Sequence, residues 1–146
     1  MKRSIRLSFL SLFVSMSLLT PILAQEKMDK YPGNIIYFGY GGGFTGLVYK
    51  YALLENGDVY KKQPFEKDSF ELINKVLADQ LISIFNNYEF LGIDSMQLND
   101  PGNTYTYVTF CNAKKQEKKI VWNRTLQIPG NLKTFYNQLI DLIPKQ

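Results

Sequence analysis

The sequence predicts an α+β fold: one domain with an antiparallel sheet of about four to five strands and two main helices packed on one face. Three observations lead there. Short runs rich in β-branched and aromatic residues recur along the chain, with Thr104–Cys111 alternating over its full length. An Asn56-Gly57 pair sits between two such runs, the strongest short-range hairpin signal. Two stretches, residues 66–87 and 131–143, carry apolar residues at helical spacing. Two strand groups, each followed by a helix, make a layered domain with one helix-covered sheet face.

The N-terminus reads as an export signal. Lys2, Arg3 and Arg6 precede an apolar run over residues 7–19, and Ala24 offers a small residue before a cut at Gln25. That run is too short for a comfortable membrane span, and no cysteine near the cut would carry a lipid. The expectation is residues 1–24 as signal peptide, 25–33 as a loose, flexible polar leader ending in Pro32-Gly33, and 34–146 as one domain, secreted or periplasmic. Three of the 17 basic residues and none of the 13 acidic ones lie in the signal, so the remainder carries 14 against 13, a net +1. This near-neutral balance argues against a nucleic-acid partner. Cys111 is the single cysteine, so packing and not an intramolecular disulfide must hold the domain together.

Residues 34–40 form the first expected strand. The run Gly39-Tyr-Gly-Gly-Gly-Phe-Thr-Gly46 follows, with five glycines in eight residues, and reads as a site or a sharp structural corner. Residues 47–54 alternate, with Tyr49, Tyr51 and Leu53 on one side and Val48, Lys50, Ala52 and Leu54 on the other. After the Asn-Gly turn, residues 59–62 return antiparallel. Phe70, Ile73, Leu77, Leu81, Ile84 and Tyr88 then fall on one helical face, with Asp68 or Ser69 as cap and Asn86-Asn87 as the end. A break near Ala78 would let Asp79 cap a separate helix. Residues 95–103 read as a long polar loop. Residues 119–122 return from Thr104–Cys111 across a charged turn, and Asn131 caps a last helix with Leu132, Phe135, Leu139 and Leu142 inward.

The chemistry is bounded by what is missing. The chain has no histidine, which excludes Ser-His and Cys-His nucleophilic pairs and the usual zinc sites. No cofactor and no metal site is expected. Gly41, Gly43 and Gly46 spell G-x-G-x-x-G, but a dinucleotide loop must open a helix, and here a strand follows. The kinase reading fails for lack of a His-Arg-Asp loop and of length. Glu55, Asp58, Asp94 and Asp100 lie in or beside turns, where carboxylates serve local hydrogen bonding. Cys111 reads as a small buried residue, and Trp122 as a core or sheet-face aromatic. Lys114, Lys115, Lys118 and Lys119 solvate a hairpin tip. Asn123-Arg124-Thr125 matches a glycosylation sequon.

Gly42-Gly43-Phe44-Thr45-Gly46 before a strand resembles the Gly-Gly-Phe-x-Gly segment of the emfourin-like proteins, small protein inhibitors of thermolysin-type metallopeptidases. The order that follows is similar too: Leu77 and Leu81 in a helix, Phe90-Leu91 at its exit, a loop near Asp100, Tyr105 and Tyr107 in a strand, and Leu132 and Leu139 in a last helix. Gly41, the Asn-Gly hairpin and the signal peptide are departures from that pattern. The resemblance implies a non-enzymatic protein binder whose target is a metallopeptidase. The contact candidates are Gly41, Gly42, Gly43, Phe44 and Thr45, with Phe44 as apolar anchor, together with Asn99 and Asp100. The competing readings are an envelope ligand-binding or assembly module and a carboxylate-dependent hydrolase. Asp100-Pro101-Gly102-Asn103 is ordinary turn chemistry unless it lies beside the glycine loop.

Overall fold

A computed structural model of the chain describes residues 28, 30–63 and 69–145. The proposed signal and the capping Asp68 lie outside them. The chain order is β1 (Ile35–Gly42), β2 (Val48–Leu54), β3 (Asp58–Lys62), β4 (Phe70–Lys75), α1 (Ala78–Phe90), β5 (Asn99–Asp100), β6 (Thr104–Cys111), β7 (Glu117–Asn123) and α2 (Gly130–Ile140). The strands form one seven-stranded sheet in the order β4-β3-β2-β1-β6-β7-β5. All neighbours are antiparallel except β5, which runs parallel to β7. The class is α+β as expected, with a larger sheet than four to five strands.

Both helices cover the same face. Ile36, Phe38, Leu53, Val59, Val108 and Ile120 from the strands pack with Ile84 and Tyr88 of α1 and with Leu132, Phe135 and Leu139 of α2. Burying an aliphatic or aromatic side chain of this kind contributes about 1.5–3 kcal/mol before entropy is counted. Tyr88 stacks on Phe110 with centroids 4.5 Å apart, and Trp122 meets Tyr136 edge-on at 5.2 Å. Asn131 does not cap α2, whose cap position is Pro129. Its amide instead donates to the Leu91 carbonyl at 2.7 Å and ties the start of α2 to the end of α1.

The opposite face carries a second apolar cluster of Met28, Ile35, Ala52, Leu54, Tyr60, Phe70 and Cys111, flanked by Tyr31 and Tyr37. Met28 and Tyr31 belong to the segment read as a flexible leader, but Met28 is fully buried and Tyr31 packs on the same cluster. The Lys115 ammonium donates to the Tyr31 carbonyl at 2.6 Å and holds this segment against the β6–β7 hairpin.

This second cluster explains the main correction. The helical spacing of residues 66–87 is only half helix: Phe70–Lys75 is the edge strand β4, and α1 starts at Ala78. In a strand, Phe70 and Ile73 point to opposite faces. Both find apolar cover because the sheet is buried on both sides there, Phe70 in the second cluster and Ile73 against the helix-side core. A register shift opposite Val59 and Tyr60 accommodates the extra residue. Leu77 is exposed at the cap position, and Asp79 lies in the first turn, where a carboxylate favours the helix dipole.

Candidate functional site

The site is the end of the sheet where β1 turns into β2. The glycine run divides there. β1 does not stop at Tyr40 but continues through Gly42, because Gly39 and Gly41 keep ladder partners on both sides, Lys50 and Tyr107, and Val48 and Tyr105, while Gly42 pairs with Thr104 of β6 alone. At Gly42 the backbone has φ 91°, and a Cβ would collide with the Asn103 carbonyl oxygen. Only glycine fits that approach.

The turn itself spans residues 43–47. The Gly43 amide donates to the Asn103 carbonyl at 2.8 Å, Gly42 N–H to Leu47 O at 3.2 Å, and Gly46 N–H to Gly43 O at 3.2 Å. The tip is thus pinned to the turn residue just before β6 from one side and closed by its own backbone. Phe44 and Thr45 occupy its apex. Phe44 is fully exposed, the most exposed of the large apolar residues among those described. Thr45 Oγ1 accepts weakly from the Leu47 amide at 3.5 Å.

Beneath the tip lies a set of aromatics. Tyr40 stacks on Tyr49 at 4.8 Å, the Arg124 guanidinium sits 4.9 Å over the Tyr40 ring, and the Tyr136 hydroxyl donates to the Gly39 carbonyl at 3.3 Å. Burial raises the Tyr136 phenol above its ordinary range, with Arg124 opposing, so it remains a neutral donor. The backbone N–H of Arg124 donates to Thr104 O at 3.1 Å, which closes the end of β7 onto the base of the tip.

Of the contact candidates read from sequence, Gly41, Gly42, Gly43, Phe44 and Thr45 come together, the first two as ladder residues and the last three as the turn. Asn99 and Asp100 do not join them. They are exposed on β5, paired with Val121 and Trp122, at the far edge of the sheet. The turn that follows them does reach the tip, crossing the end of β7 so that Asn103 meets Gly42 and Gly43. Asn103, Tyr40, Tyr49 and Arg124 were missed as site residues. The Asn-Asp-Pro-Gly-Asn turn was the one signal that pointed toward Asn103.

Other candidates take structural roles. The Glu55 carboxylate accepts from the Asn34 backbone amide at 2.9 Å and from its side chain at 3.2 Å, and Asp58 pairs with Lys75 at 2.9 Å. Asn123 Oδ1 accepts from Thr125 N–H and Oγ1–H at 3.0 and 2.9 Å, so the sequon asparagine holds its own turn. Cys111 is buried, and burial pushes its thiol up, away from a reactive thiolate. Among the described residues no three Cys, Asp or Glu side chains gather as a metal site would need, and no helix is long and apolar enough to cross a membrane. In sequence comparisons no protein-family model and no curated protein matches the chain.

Proposed function

We propose that this chain is an exported, non-enzymatic protein-binding domain that acts by inserting the residue 43–47 hairpin tip into a cleft of its partner, Phe44 leading. The reading rests on one observation: a fully exposed phenylalanine at the apex of a turn whose two stems are central strands and whose first residue is pinned to Asn103. Other large apolar side chains, Phe90 and Leu77 among them, are exposed too; Phe44 differs in leading from the apex of a fixed turn, where an aromatic can act as an interface anchor. Holding it on a fixed turn removes most of the ordering cost of binding. Export follows from the signal-like residues 1–24.

The target proposed is a thermolysin-type metallopeptidase, on the Gly-Gly-Phe-x-Gly resemblance. Such a domain would inhibit by occlusion: the turn fills the cleft, and the sheet behind it blocks the approach of a peptide. The test is a titration of the purified protein against a thermolysin-like peptidase, followed by residual activity on a peptide substrate. A stoichiometric loss of activity is expected. Full activity at saturating protein, with the chain folded and uncleaved, contradicts the peptidase target.

A further inference from the structure

The surface beside the tip carries a charge of a distinct kind. Arg124 is the single arginine beyond residue 6, and every other basic residue after that point is a lysine. It lies in the turn over residues 123–126, which is closed by the Leu126 amide on Asn123 O at 3.1 Å and by the two Thr125 donors on Asn123 Oδ1. This turn and the tip hang on adjacent carbonyls: Thr104 O accepts from the Arg124 amide, and Asn103 O accepts from the Gly43 amide. The end of β6 alone separates the two turns, so their backbones stand about 10 Å apart. From β7 the Arg124 side chain reaches across β6, at the level where Thr106 pairs with both Tyr40 and Trp122, to set its guanidinium 4.9 Å over the Tyr40 ring.

The guanidinium is held in place but not neutralised. Tyr40 stacks on Tyr49 at 4.8 Å, so the cation rests on a fixed aromatic pair. Arg124 is exposed, and its guanidinium has no hydrogen bond or ion pair with any described residue. No aspartate or glutamate occurs in residues 34–54, 101–116 or 118–140, the stretches that build β1, β2, β6, nearly all of β7, and α2. This end of the sheet therefore has no carboxylate of its own to meet the cation.

We infer that the partner's cleft carries an aspartate or glutamate beside the pocket that takes Phe44, and that Arg124 receives it as a bidentate ion pair. This rests on the tip-insertion reading above. A stable protein interface covers roughly 800 Å² of each partner, more than the turn over residues 43–47 offers, so the footprint extends onto the flanking surface. The 123–126 turn, held to the same strand end, belongs to that surface, and Leu126 is exposed there as well. A guanidinium covered by a partner that offers no acceptor would lose its water and gain nothing in return. A planar fork seated on an aromatic suits a carboxylate, which accepts two parallel N–H donors; a lysine ammonium has no such fork.

The experiment measures inhibition of a thermolysin-like peptidase by the wild type, Phe44→Ala, Arg124→Gln, Arg124→Lys and Lys119→Gln at low and high sodium chloride, with a thermal melt of each. Wild-type inhibition should weaken as salt rises. Arg124→Gln should inhibit at least about tenfold less tightly at low salt and lose most of that salt dependence. Its melting temperature should fall by no more than the few degrees that an exposed cation–π contact accounts for. Arg124→Lys keeps the charge without the fork and should remain at least roughly threefold weaker than the wild type. Lys119→Gln removes the same charge from the opposite sheet face and should change inhibition by less than about twofold. An Arg124→Gln protein that inhibits like the wild type, while Phe44→Ala does not, overturns this inference and leaves tip insertion standing. A loss at Arg124→Gln that is equal at both salt concentrations overturns it too, because Arg124 would then act only by supporting Tyr40. An equal loss at Lys119→Gln overturns it by showing a general attraction of charge. A wild type that does not inhibit removes both tip insertion into this peptidase and the ion pair that rests on it.

Discussion

The two halves of the glycine run carry the same residue type for opposite reasons. Gly39, Gly41 and Gly42 are ladder residues of the central strand, hemmed in by the Tyr49 carbonyl, by Tyr105 and Tyr107, and by the Asn103 carbonyl. Gly46, a few residues on, has φ 62° with nothing within 4 Å of a built Cβ. The first half is close packing; the second is a turn in open solvent. Glycine content alone therefore does not mark a contact loop, and what separates scaffold from tip is which atoms stand where a side chain would be.

Substitution at Gly42 is the harshest test of that division. Gly42→Ala combines a collision with backbone and an unfavourable φ, and should cost ~3 kcal/mol or more in urea denaturation, or prevent folding. A loss below about 1 kcal/mol would mean that β6 can move away and that the stem is not rigid.

Alkaline pH probes the scaffold without touching the tip. Burial first, then Asp94 and Glu89, push the Tyr88 phenol from 10.0 up to about 12. The unfolded phenol releases its proton near pH 10 while the folded one keeps it, so stability is full below pH 10 and is lost as pH rises through 12. Tyr51, raised mainly by burial, acts in the same direction. The urea midpoint should fall over this window, and Tyr88→Phe should remove part of the fall.

Gly46→Ala should cost only ~1 kcal/mol, the price of a left-handed conformation without a collision. A loss as large as that of Gly42→Ala would erase the distinction between the two halves. The smallest stability effect is expected at Phe44, whose removal leaves every described core contact in place.

How much of this was readable in advance depends on where each signal resides. Thr104–Cys111 and the Asn56-Gly57 hairpin were legible because alternation and turn chemistry are local. The inward set of α2 was legible because its partner face is continuous. β4 was not, since its Phe70 and Ile73 copy a helical interval while serving two different apolar layers. β5 is two residues long and has no pattern to read. β1 beyond Tyr40 was hidden because glycines show no alternation. For the site, composition singled out residues 41–45, but the assignment of each to stem or tip needed Asn103, about sixty positions away in sequence and adjacent in space. Asn99 and Asp100 open the same Asn-Asp-Pro-Gly-Asn stretch, and the pairing of β5 with β7 sets them apart from Asn103.

The most direct measurement pairs the wild-type protein with Phe44→Ala in the peptidase titration, with a thermal melt of each. The account predicts equal melting temperatures, stoichiometric inhibition by the wild type, and at least roughly 30-fold weaker inhibition by the variant, the loss typical of a central aromatic anchor. A variant that melts lower would place Phe44 in the scaffold, and one that inhibits as well as the wild type would show that the tip is not the contact.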